Sequence, residues 1–235
     1  MRPDGFVLAG GRSSRMGFDK ARACYRGQPL ALAVLGSLSS LCGRLVLVRR
    51  GPPDGLPWRW ADGSPVEVLR EQPVAVDTHP LWGVAAALEA SQAPVALILP
   101  CDVPGLTSGT LAALIHRAPA IAIGAGRRHP LIGAFPRSWA ARAAAGAAAG
   151  GSVRDFAASA AAVPVPAAEL ENLNDPSALG LEGRPVAALL QGLPFLDPGA
   201  RARVAAGERG RLAAQGMLDP DVDPAVPSTR GVEDR

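Results

Sequence analysis

The chain has 235 residues, of which 48% are hydrophobic and 19% charged, with a formal net charge of +3. That length suits one sizeable domain with room for an appendage, and with only 4% aromatic residues its core must be built from Val, Leu, Ile and Ala. The charge is mild and the arginines are scattered rather than striped, so no nucleic-acid surface is implied, while anionic small ligands stay open.

Residues 5–9 form an apolar run that ends in Gly10-Gly11 and reads as a buried strand feeding a glycine loop. Residues 29–42 carry Leu30, Val34, Leu38 and Leu41 on one face and predict a helix. A second buried strand is expected at 45–48, a Gly- and Pro-rich loop at 49–65, and a weaker third strand at 66–69. Residues 82–90 read as a helix, and 94–99 as the clearest core strand, broken by Pro100-Cys101-Asp102-Val103-Pro104. A helix over 108–117 has Ser108 as its expected N-cap. Residues 121–123 and 131–135 flank a turn at 124–128, and this hairpin is expected to add an antiparallel edge. The Ala/Gly stretch 140–151 fits either a small-residue helix or a bridging segment, and 152–158 a helix capped by Ser152. Strands alternate with helices through residue 117, which predicts βαβ units and an α/β fold with a mostly parallel sheet.

From residue 184 the character changes. The expected organisation is a domain over 1–184, a small appendage over 185–218 with helices at 185–196 and 200–217, and a disordered tail over 219–235. The three cysteines, Cys24, Cys42 and Cys101, form no C-x-x-C pair, which argues against a disulfide framework or a zinc site. No apolar run reaches the roughly 18 residues of a membrane span. Met1-Arg2-Pro3-Asp4 leads straight into the first strand, so no signal peptide is expected. Together these predict a cytoplasmic protein.

Lys20 is the only lysine, and the other 23 basic residues are arginine. A compact ammonium reaches a crowded phosphate where a planar guanidinium does not. Gly10-Gly11 lets backbone approach a ligand closely, and Arg12, Arg15 and Lys20 follow, all able to meet phosphate. The spacing matches neither a Walker A loop nor G-x-G-x-x-G. Asp102 stands just past the carboxyl end of a buried strand, where open α/β sheets bind ligands, and one such carboxylate can hold Mg²⁺ with phosphates and water. Asn172 and Asn174, two apart on an extended segment, share a side and could bind a metal-bound phosphate, although the spacing alone favours a turn before a helix at Pro176. His79, His116 and His129 are scattered, with no Ser/His/Asp arrangement, and Cys101 reads as a small buried residue.

Leu8-Ala9-Gly10-Gly11, with Arg15-Met16-Gly17 and Asp19-Lys20, resembles the signature of molybdenum cofactor guanylyltransferases and their small nucleotidyltransferase relatives. The resemblance continues in order at Pro80-Leu81-Trp82-Gly83, Leu99-Pro100-Cys101-Asp102-Val103-Pro104, His129-Pro130-Leu131, Ser152-Val153-Arg154 and Asn172-Leu173-Asn174, covering residues 5–180. The Asn-x-Asn-x-Pro segment favours the guanylyl over the cytidylyl branch. The resemblance implies a Rossmann-like three-layer nucleotidyltransferase fold, and transfer of GMP from Mg-GTP to molybdopterin with release of pyrophosphate. By the same resemblance Leu8, Ala9, Gly10, Gly11 and Gly83 would line the nucleotide site, Lys20 with Arg15 would hold the triphosphate, Asp102 would bind Mg²⁺, and Asn172 and Asn174 would complete the site. Glu71 matches a position where the family places an acid near guanine, and His129 could meet the pterin phosphate. The family often has Gly where His79 stands, and its Asn after the second strand is replaced here by Val48 or Arg49.

Two rivals follow. One is the same fold using CTP. The other is a non-catalytic module that hands nucleotide or cofactor to a molybdoenzyme or a delivery protein, suggested by the carboxy-terminal segment. A sugar-phosphate nucleotidyltransferase would need a longer chain for its substrate domain.

Overall fold

The computed structural model describes residues 1–10, 19–50, 57–71 and 79–174. Arg12, Arg15 and the expected elements beyond residue 184 lie outside these described residues, as does Gly11.

Parallel pairing in a covered sheet calls for apolar residues on both strand faces. Strand β1, Asp4–Leu8, meets this with Phe6 and Val7, both fully buried on opposite sides. It pairs in parallel with β4, Arg44–Arg49, and with β6, Val95–Pro100, and β4 pairs in parallel with β5, Glu67–Arg70. A short hairpin, β2 (Cys24–Tyr25) and β3 (Gln28–Pro29), leads into helix α1, Leu30–Ser37. Val7, Leu47, Leu97 and Leu99 pack on one side of the sheet with α1 and with α3, Ser108–His116. Phe6, Val46, Val48 and Ile98 pack on the other side with α2 (Pro80–Ala90), α4 (Ala140–Ala148) and α5 (Val153–Phe156). The period-2 alternation of each strand thus builds the three-layer α/β fold, with two apolar cores each contributing ~1.5–3 kcal/mol per fully buried large side chain.

The 140–151 segment resolves as α4. Its alanines have the best helix propensity, and Gly146 lets it lie close to α2: a Cβ there would come within 3.0 Å of Leu81 Cδ1. Ser152 caps α5 as expected, accepting from the Asp155 amide at 3.0 Å. The cap of α3 shifts by one residue: Thr107, not Ser108, accepts from the Thr110 amide. Both adjacent hydroxyl residues can cap a helix, and backbone geometry chooses Thr107 over the intrinsically better Ser108.

The expected hairpin forms from β7, Ala120–Gly124, and β8, Arg127–Pro136, but it is not the sheet edge. With Ala161–Pro164 as β9, the order is β5-β4-β1-β6-β8-β7-β9, with β8 antiparallel to β6 and β7. The edge is β9, parallel to β7. Only Val163 of its four side chains is buried, so it has almost no apolar pattern to announce it.

Candidate active site

The four parallel strands β5, β4, β1 and β6 end on the same side of the sheet. Glu71, Arg49 and Arg50, Ala9 and Gly10, and Cys101 and Asp102 therefore stand in a row along its carboxyl edge. With strands about 4.8 Å apart, Glu71 and Asp102 are separated by about 14 Å, room for a ligand laid across the strands. The strand order reverses direction between β1 and β6, the crevice where such sheets bind ligands. A cavity of about 280 Å³ opens there, lined by Leu8, Ala9 and Gly10, by Asp19 and Lys20, by Arg50 and Glu71, and by Cys101 and Asp102.

At one end lies a charged cluster around Lys20. Asp19 caps the 3-10 turn Lys20–Arg22 by accepting from the Ala21 amide at 3.1 Å. Lys20 Nζ then donates to Asp102 Oδ2 at 2.8 Å and to Asn174 Oδ1 at 3.0 Å. Asn174 is brought there from the far edge of the sheet. After β9 the chain forms the 3-10 turn Ala167–Leu170, whose Glu169 accepts from the Thr107 amide at 2.9 Å, and then the Leu173 amide donates to the Asp102 carbonyl at 3.0 Å. Leu173 is buried, Asn174 half-buried and Asn172 exposed, so Asn174 takes the contact with Lys20.

At the other end lies Glu71. Its Oε2 accepts from Arg50 Nε at 3.0 Å, and its side chain is 8% exposed. Its Oε1 lies against two glycines: a Cβ on Gly10 would meet it at 2.9 Å and one on Gly83 at 2.8 Å. Gly83 therefore serves this site through Glu71, leaving the space the carboxylate fills. His79 is a helix cap, its Nδ1 accepting from the Leu81 amide at 3.2 Å, and its carbonyl faces Arg50. His116 is exposed on α3, and His129 does not line the cavity, whereas Leu131 does.

Asp19, Arg49 and Arg50 have no assigned site role in the sequence: Asp19 enters only within the signature segment and Arg49 only as a departure from the family pattern. A signal existed: Arg49-Arg50 follows an apolar strand directly, the same placement that singled out Asp102.

Burial, with Asp102 adding to it and Lys20 opposing it, pushes the Cys101 thiol up to about 12; burial and Asp4 do the same to Cys42. Only about one molecule in ten thousand carries such a thiolate at pH 8. Iodoacetamide on the native protein at pH 8 is expected to label Cys24 and to leave Cys42 and Cys101 unmodified until denaturant is added, read by peptide mass mapping. Native labelling of Cys101 as fast as Cys24 would overturn that expectation.

A family model described as MobA-like NTP transferase domain matches residues 5–164. A probable molybdenum cofactor guanylyltransferase of Haloferax mediterranei is 37% identical over 114 residues, 48% of this chain and 53% of that protein. A molybdenum cofactor guanylyltransferase of Burkholderia vietnamiensis is 36% identical over 117 residues, 48% of this chain and 55% of that protein. The chain spans about half the length of these curated relatives. The crystal structure of molybdopterin-guanine dinucleotide biosynthesis protein A from Archaeoglobus fulgidus superposes with a TM-score of 0.59 at 19% identity, covering 75% of this chain and 95% of that one, and bears on the fold alone.

Proposed function

The chain belongs to the family of MobA-like NTP transferase domains, and from that premise we propose that it is a nucleotidyltransferase moving GMP from GTP to the terminal phosphate of molybdopterin. An acceptor phosphate oxygen forms the new bond to the α-phosphorus as the bond to the leaving pyrophosphate breaks. The acceptor is already anionic, so the step needs positioning and charge neutralisation rather than a protein nucleophile or a strong base.

The observation that carries this reading is the two-ended cavity. Lys20 stands at the phosphate end beside Asp102 and Asn174, and Glu71 stands three strands away at the base end. Glu71 Oε1 can accept from guanine N1–H and from the 2-amino group, while Arg50 holds Oε2. Cytosine offers only its 4-amino hydrogens to the same oxygen.

The donor set fits Mg²⁺. Asp102 and Asn174 present hard oxygens that already share one cation, the Lys20 ammonium. Among the described residues no group of three or more His, Cys, Asp or Glu could hold a metal by itself, so phosphate oxygens and water would fill the remaining positions. When bound, the ion neutralises triphosphate charge.

Side-by-side turnover with GTP and CTP, molybdopterin and Mg²⁺ tests the reading. One hydrogen bond lost in a closed site costs about 1–3 kcal/mol, so kcat/KM should favour GTP about tenfold or more. A preference for CTP would sink the guanine assignment. A folded protein that binds the nucleotide but turns over neither GTP nor CTP would favour a non-catalytic carrier.

A further inference from the structure

Arg49 joins two points of the chain, Ala9 and Asp19, across the segment between them. Its Nη1 donates to the Ala9 carbonyl at 2.7 Å and to Asp19 Oδ1 at 3.3 Å, and its Nη2 donates to Asp19 Oδ2 at 2.7 Å. Ala9 follows β1, and Asp19 opens the turn that carries Lys20. The nine positions 10–18 lie between them. One guanidinium therefore sets the distance between the end of the first strand and the start of the lysine turn.

The surroundings make this a stiff connection. Arg49 is only 9% exposed, and its Cζ lies 5.4 Å from the ring centroid of buried Trp58, over which Arg22 also stacks at 4.1 Å. A fork-to-carboxylate pair fixes orientation as well as distance, and partial burial reduces the screening that weakens surface pairs. The Asp19 carboxylate has two duties, since it also caps the turn through the Ala21 amide at 3.1 Å. The link therefore runs from Arg49 to Asp19, from Asp19 to the turn, and from the turn to the Lys20 ammonium on Asp102 and Asn174. Lysine has four rotatable carbons, and its charge reaches one point reproducibly only if its backbone is held.

We infer that Arg49 is a positioning residue for Lys20: by clamping the Ala9 carbonyl to the Asp19 carboxylate, it sets where the lysine ammonium enters the cavity, and so governs affinity for a nucleoside triphosphate without touching the base. This rests on Lys20 being the triphosphate anchor.

The single lysine makes the test direct, because lysine labelled with ¹³C at Cε gives one lysine resonance in the full-length chain. In the wild type that line should be displaced from the position of free lysine. In Arg49→Gln it should move toward the free position, GTP affinity should fall about tenfold, and GMP affinity should change less than twofold. Asp19→Asn, which weakens the same clamp while leaving Arg49 in place, should move the line in the same direction and serves if Arg49→Gln fails to fold. A Lys20 line that stays put in the folded variant overturns the inference. So does an equal loss of GTP and GMP affinity, the mark of a merely structural role. The resonance needs no nucleotide, and CTP with CMP replaces GTP with GMP should the base assignment fail, so the two ideas fail separately.

Discussion

Asp102→Asn is expected to lower nucleotidyl transfer about a thousandfold, roughly 4 kcal/mol of transition-state stabilisation. The substitution keeps the shape of the side chain and removes its charge. The backbone at this position is held independently, since the Leu173 amide donates to the Asp102 carbonyl at 3.0 Å and the neighbouring Cys101 amide donates to the Leu8 carbonyl at 3.1 Å. The side chain is 16% exposed at a strand end, so the fold should survive, and an unchanged melting temperature would confirm that. What is lost is the carboxylate that accepts from Lys20 Nζ at 2.8 Å. A neutral amide beside Asn174 leaves two carbonyl-type oxygens, a poor set for a hard divalent ion that must also meet phosphates. Single-turnover rates with saturating GTP, together with Mn²⁺ binding followed by electron paramagnetic resonance, check the expectation. A variant that keeps more than a tenth of wild-type activity would remove Asp102 from the proposed metal role.

The same residue shows what could be read in advance. Asp102 stood out because residues 94–99 are apolar on both faces and then break at Pro100, so strand, edge and carboxylate are all local features. Lys20 stood out by composition, and Glu71 by resemblance. Arg49 was visible only as a departure from the family pattern. Its role depends on β4 lying beside β1, and neighbour order in a sheet is set by pairing between residues some forty positions apart, such as Leu8 with Val48. The hairpin of β7 and β8 illustrates the same gap. Its strands were evident from local alternation, but its place inside the sheet depends on β6 pairing with β8 and on β9 taking the edge. Asn174 required both: the motif marked the segment, while the return of the chain past Thr107 and Glu169 delivered it to Lys20.

Lys20→Arg is expected to lower kcat/KM for GTP at least tenfold, about 1.4 kcal/mol or more. On paper the change is conservative, and arginine is what this chain uses at its 23 other basic positions. The geometry gives two reasons for a loss. The ammonium sits between Asp102 Oδ2 at 2.8 Å and Asn174 Oδ1 at 3.0 Å, in a side chain 15% exposed, and a planar guanidinium is larger than that space. A guanidinium would also bind the Asp102 carboxylate with two parallel hydrogen bonds. A lysine can leave Asp102 for a phosphate by rotating its stem, whereas a forked pair withholds the guanidinium from the phosphate and the carboxylate from the ion. The loss should therefore appear in triphosphate affinity and in metal affinity together. Binding of GMP should be nearly untouched, and the melting temperature should hold or rise. If the arginine variant turns over GTP at the wild-type rate, positive charge alone is what the site requires, and the survival of one lysine in an arginine-rich chain has no chemical meaning.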